Sequence, residues 1–246
     1  FAQIAQPSTE IKANYLLTTL DLGLNKQRNH PAPIHFNFAF AEPLYPTTTT
    51  VDYRDYLQSL KNWQIATHPF TQIIHRDSSR LPLDESLTNK KVLIIAGKMA
   101  SIKQAKAVVQ FAKQNNMPLF ADIQSSQRGA TNAFNYYDLL LINETFKNQL
   151  QQADVIIQFG EQLVSKRLMT FMNTFHGELY LVKKGDERID PNHQLDKRFD
   201  CNATDWIDAQ TISATSSCHN WHKTLQQSDE QLSKQVIAPF LALQPL

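Results

Sequence analysis

Two short runs constrain the fold more than any other feature of the chain. Val92-Leu93-Ile94-Ile95-Ala96 is continuously apolar and is closed by Gly97; Val155-Ile156-Ile157-Gln158-Phe159 is nearly so and is closed by Gly160. A strand with one wet face alternates apolar and polar residues, whereas a strand covered on both faces reads as an unbroken apolar run. Strands of this kind sit in parallel sheets, and parallel neighbours need long crossovers that are usually helical. The intervening sequence fits. Ser101 can cap a helix carrying Ala105, Val108, Val109 and Ala112 on one face. Pro118-Leu119-Phe120-Ala121 reads as a second strand ending at Asp122, and Leu139 to Ile142 as a short strand or a helix start. A helix is expected over Lys166–Phe175, a strand over Glu178–Val182, and a last strand over Arg198–Asn202. Repeated βα units of this kind predict an α/β fold: a Rossmann-like, mostly parallel sheet with helices on both faces.

The flanks differ from this centre. Pro7-Ser8-Thr9-Glu10 offers capping residues before a helix with Ala13, Leu17, Leu20 and Leu24 on one face, expected to end between Gly23 and Asn25. Ile34 to Phe40 alternates as a strand does, and a Pro- and Thr-rich run ending in Thr47–Thr50 marks a boundary. Residues 52–75 read as a linker helix with Tyr56, Leu60 and Trp63 on one face, ended or kinked by Pro69. Residues 76–90 are polar and irregular, a short helix is expected around Trp206, and a final helix from about His222 to Leu243. The expected organisation is therefore a helix, strand and linker over 1–50, a linker helix over 51–90, a central α/β domain over 91–210, and a linker with the start of an outgoing helix over 211–246. The absence of an initiator Met and the apolar run Ile237–Leu243 suggest that sequence continues on both sides.

With 24 basic and 23 acidic residues, net charge +1, nothing electrostatic favours nucleic acid or an anionic membrane as partner. Two cysteines, Cys201 and Cys218, imply no disulfide framework. Phe1 to Gln6 lack the features of a secretory leader, and no apolar run is long enough to span a bilayer, so the cytoplasm is the expected location.

Several motifs reduce to ordinary structure. Gly97 and Asp122 occupy the places of a dinucleotide fingerprint, but Gly97-Lys98-Met99-Ala100-Ser101 lacks the second glycine that lets main chain approach a pyrophosphate. Gly185-Asp186-Glu187 departs from a Gly-Asp-Gly metal signature and reads as a charged turn. Cys218, His219 and His222 are too few for a tetrahedral zinc site. Ser165-Lys166-Arg167 is different. Two cations in the first turn of a helix are unfavourable by roughly 0.3–1 kcal/mol each, yet the same place, beyond a strand's carboxyl end, suits an anion. On spacing alone, exposed surface cations and a carboxylate site are equally open for Lys166 and Arg167. Ser125, Ser126 and Arg128, after the strand ending at Asp122, are weaker candidates for ligand contact.

Pro33-Ile34-His35-Phe36-Asn37-Phe38-Ala39-Phe40-Ala41-Glu42-Pro43-Leu44-Tyr45 resembles a strand-and-linker signature of the 2-succinyl-5-enolpyruvyl-6-hydroxy-3-cyclohexene-1-carboxylate synthase family of menaquinone biosynthesis. Pro7-Ser8-Thr9-Glu10-Ile11 with its helix is similar to the end of that family's first domain. Val92–Met99, Asp154–Gly160, Ser165-Lys166-Arg167-Leu168 and Arg188–His193 are similar to its central, transhydrogenase-like domain. The resemblance implies that residues 1–50 close a pyrimidine-binding domain and that 211–246 lead toward a pyrophosphate-binding domain. It implies an enzyme that uses thiamine diphosphate with Mg2+ or Mn2+ to decarboxylate 2-oxoglutarate and adds the succinyl carbanion to isochorismate, as a homo-oligomer, dimer or tetramer. Lys166 and Arg167 match the basic residues that hold substrate carboxylates. The activating glutamate and the metal signature match no part of this chain, so the segment alone is expected to be inactive and to bind neither cofactor nor metal. Two rival readings are a purely structural spacer and a nucleotide-binding central module of another thiamine diphosphate enzyme.

Overall fold

The computed structural model describes residues 2–40, 42, 51–75, 87–185, 187, 189–210 and 216–239. Ala41, residues 43–50 with the Thr47–Thr50 run, most of the polar stretch after His75, Asp186 and Arg188 lie outside the described residues. The chain divides into two compact units, residues 1–73 with 186–197, and residues 74–185 with 198–246.

In the first unit, strands β1 (Ala2–Ile4) and β2 (Phe36–Phe38) pair in parallel, Ala2 opposite Phe36 and Ile4 opposite Phe38. Helix α1 (Ala13–Asn29) connects them. It runs past the stop expected at Gly23 because that glycine is a notch: a Cβ there would lie 2.6 Å from Cζ of Phe36. Ala13 and Leu17 are buried, and the hydroxyls of Thr18 and Thr19 donate back to Asn14 O (2.9 Å) and Tyr15 O (2.6 Å). His193 docks on the same helix, its Nδ1 2.7 Å from Thr18 Oγ1 and its carbonyl accepting from Asn14 Nδ2 at 3.2 Å. Helix α2 (Arg54–Ile65) ends earlier than the linker helix expected over 52–75. Residues Gln72–His75 instead form strand β3, in keeping with the paired isoleucines at 73 and 74 and with the extended backbone favoured before Pro69.

The second unit holds the central strands: β4 (Val92–Ala96), β5 (Leu119–Ala121), β6 (Val155–Phe159), β7 (Glu178–Val182) and β8 (Lys197–Asp200). With β3 they form one sheet in the order β3-β8-β7-β6-β4-β5. The pairs β5–β4, β4–β6 and β6–β7 are all parallel. The sheet is covered on both faces, which is the α/β architecture that the apolar runs predict. Because side chains alternate across a strand, Val92, Ile94, Ala96, Val155, Ile157, Phe159, Tyr180 and Val182 share one core with Val108 and Phe111 of helix α3 (Ile102–Gln114) and Trp206 of a later helix. Phe120, on the other face of β5, stacks against Tyr137 (4.9 Å, 11°) and tilts against Phe134 (5.5 Å).

On that second face lie α4 (Tyr137–Leu140), α5 (Glu144–Leu150) and α6 (Lys166–Asn173); α7 (Ala203–Asp208) supplies Trp206, and α8 (Ser216–Leu232) passes into a π-helical turn, Ser233–Ile237. The Leu139–Ile142 segment is thus the end of a helical turn rather than a strand, and the last helix starts earlier than His222. Helix α8 is anchored by Trp221 Nε1 donating to Gln149 O (2.8 Å), His222 Nδ1 lying 2.9 Å from Asn116 Oδ1, and Cys218 Sγ donating to Lys90 O (3.3 Å). No helix among the described residues is long and apolar enough to cross a membrane.

Candidate functional site

In an open parallel sheet, ligands bind beyond the carboxyl ends of the strands, where the strand order reverses. Here the chain moves from β4 outward to β5 and then back to β6 on the other side of β4, so the reversal lies between β4 and β6. The turns that leave these two strands interlock. Gly97 N donates to Phe159 O (2.9 Å) and Glu161 N to Lys98 O (2.8 Å). A Cβ on Gly97 would sit 2.5 Å from Glu161 O, and one on Gly160, whose φ is +84°, would sit 2.4 Å from Lys98 O. The two turns therefore pack backbone against backbone at the switch point. Over it Glu161 stands between two cations, Lys98 Nζ at 3.7 Å and Lys183 Nζ at 3.9 Å. Strand-end positions were the signal that would have singled out Glu161 and Lys183; neither belongs to a motif.

Beside these turns the residues singled out in the sequence come close together. Ser165 caps α6: its Oγ accepts from Leu168 N at 3.0 Å. Lys166 and Arg167 open the helix and are exposed. The approach to α6 is held by Asp122, 1% exposed, whose Oδ2 accepts from Val164 N (2.9 Å) and whose Oδ1 accepts from Gln124 N (3.0 Å). The same carboxylate thus ties the Ser125–Arg128 loop to the start of α6. Within that loop Ser125 is buried, and its Oγ accepts from Gln127 N (3.1 Å) as a turn residue. Ser126, at φ +60°, and Arg128 are exposed.

The sequence offered no hint of Asp138. It comes from α4, 29 residues before Arg167, and pairs with Arg167 Nη1 through Oδ2 while its Oδ1 accepts from Ser165 Oγ at 2.5 Å. With side-chain exposures of 51% and 37%, this ion pair contributes about 0–1 kcal/mol. The two bonds to Asp122 dominate, since leaving that buried carboxylate without its donors costs about 1–3 kcal/mol. Tyr137, next to Asp138, is buried under the stack on Phe120, and burial pushes its phenol up to about 12, with Asp122 and Asp138 adding to the shift. The arrangement places two exposed positive charges at a capped helix start, with one carboxylate paired to the second of them.

Residues 54–241 match the family model described as the middle domain of thiamine pyrophosphate enzymes. The chain is 51% identical, over 98% of its length, to 2-succinyl-5-enolpyruvyl-6-hydroxy-3-cyclohexene-1-carboxylate synthase of Psychromonas ingrahamii, and covers 42% of that protein. The synthases so named in Vibrio atlanticus and Aeromonas salmonicida are 33% and 31% identical over 88% and 95% of the chain, which covers 38% and 41% of them. The chain thus spans about two-fifths of the length of these curated relatives. It belongs to the middle-domain family of thiamine pyrophosphate enzymes, and nearly all of it is similar to the matching part of these synthases.

Proposed function

We propose that this chain is the central region of a 2-succinyl-5-enolpyruvyl-6-hydroxy-3-cyclohexene-1-carboxylate synthase, the enzyme that joins decarboxylated 2-oxoglutarate to isochorismate on the way to menaquinone. The observation that carries this reading is 51% identity sustained over 98% of the chain. In this reading thiamine diphosphate and its metal are held outside this chain, which is in keeping with the Gly97 and Gly160 turns packing on each other at the switch point. The cofactor, with Mg2+ or Mn2+, belongs to the pyrimidine- and pyrophosphate-binding domains of the longer enzyme, a cytoplasmic dimer or tetramer. In this reading residues 1–50 complete the first domain, 51–90 link it to the central domain over 91–210, and 211–246 lead to the third.

The contribution of the central region is charge. Lys166 and Arg167 neutralise substrate carboxylates at the rim of a pocket built with the other domains. Arg167 is suited to a bidentate grip and Lys166 to a point contact; Ser126 and Arg128 are secondary candidates. The test is Lys166→Ala and Arg167→Ala in a synthase of full family length. Each is expected to raise KM for isochorismate or 2-oxoglutarate by about tenfold, on the order of 1.4 kcal/mol, with thiamine diphosphate affinity unchanged. Unchanged kinetics in both variants would remove the assignment. The half-exposed Arg167–Asp138 pair favours one rival, a purely structural spacer, and the same kinetics decide between them. Calorimetric titration of the 246-residue chain with thiamine diphosphate is expected to show no binding, and tight binding would refute the division of labour.

A further inference from the structure

We propose that Asp138 is a positioning residue: it acts as the internal counter-ion of Arg167, holding the guanidinium in place until a substrate carboxylate displaces it. The inference rests on the reading of Arg167 as a substrate contact and adds a second residue to that site.

Three observations carry it. One carboxylate meets two groups at the start of α6, the Ser165 hydroxyl at 2.5 Å and the Arg167 guanidinium, so it sets both the helix cap and the direction of the cation. The carboxylate itself is anchored, because its neighbour Tyr137 is buried and stacked on Phe120 of β5 at 4.9 Å. The pair remains open to exchange, with 51% of the Arg167 side chain and 37% of the Asp138 side chain exposed. A guanidinium carries five N–H donors in a rigid fork, so an incoming carboxylate can take over the donors now facing Asp138 without any movement of the helix. Ser165 keeps its bond to Asp138 throughout, and the cap is not undone by the exchange.

This predicts an effect opposite to that of an ordinary supporting residue. Asp138→Asn keeps an acceptor for Ser165 Oγ and removes the competing charge. In a synthase of full family length it is expected to lower KM for the carboxylate substrate that Arg167 contacts by about two- to fivefold, the scale of a half-exposed ion pair, while kcat changes little because Asp138 is already displaced from the guanidinium in the substrate complex. Asp138→Glu returns the charge and is expected to return KM to the starting value. In an Arg167→Gln background Asp138→Asn is expected to leave KM unmoved. If Asp138→Asn raises KM or leaves it unchanged while Arg167→Gln alone raises it, the counter-ion role falls and the substrate role of Arg167 stands. An equal shift with and without Arg167 overturns the counter-ion role in the same way. If Arg167→Gln alone changes nothing, both fall together.

Discussion

Gly160 shows how one residue can fix a turn. Its φ of +84°, with Lys98 O only 2.4 Å from the place a Cβ would take, leaves no room for alanine. Gly160→Ala is expected to destabilise the chain by roughly 1–3 kcal/mol, seen as a lower urea midpoint with an unchanged m-value. Asp122 is the other decisive residue. Asp122→Ala removes the acceptor for the amides of Val164 and Gln124 and, since both donors belong to exposed residues, is expected to cost about 0.5–1.5 kcal/mol for each lost bond. Faster amide exchange at Val164 and the first turn of α6 would be the direct readout. The glycine was legible in the sequence as a strand terminator, but its interlock with the turn after Gly97 was not, because that contact joins strands far apart in the chain. Asp138 was illegible for the same reason: a single carboxylate in a four-residue helix has no periodicity to betray it, and only the stack of Tyr137 on Phe120 brings it to α6.

At the scale of elements, α8 carries a pH dependence. Burial pushes His222 down and Asp229 up to about 6, the latter opposed by a hydrogen bond from the Tyr136 main chain and reinforced by Glu230. The two signs differ. A histidine buried neutral gives stability that is fully present above its unfolded value of about 6.5 and is lost as pH falls below it. An aspartate with a raised value stabilises in acid and loses that contribution as pH rises from about 3.9 toward 6. Asp229→Asn keeps an acceptor for the Tyr136 amide, so it is expected to raise the melting temperature at pH 7.5 and to change it little at pH 4. An equal shift at both pH values would show that burial of the charge is not the cause. Helix existence and type were legible wherever the apolar spacing was strong, as in α3 and α6. Boundaries were not: α1 runs through Gly23 because tertiary contact with Phe36 rewards the missing side chain, and β3 was hidden behind Pro69 in what read as a single helix.

At the scale of the molecule, the sheet class was the most legible property, since strands covered on both faces announce themselves by composition alone. The two units differ in how much they bury. Strands β4 and β6 are buried at every residue, whereas the β1–β2 pair is two strands with Phe38 half exposed. Two-stranded pairs are marginal in water. Native-state hydrogen exchange is therefore expected to show β4, β6 and β7 amides opening only with global unfolding, and β1 and β2 amides exchanging orders of magnitude faster; comparable protection in both would contradict this. The interlocked turns have one more consequence. With backbone packed against backbone where the strand order reverses, the carboxylate contact proposed for Lys166 and Arg167 lies outside that cleft. A second surface would have to close over it, and under that proposal recognition would be cooperative with assembly.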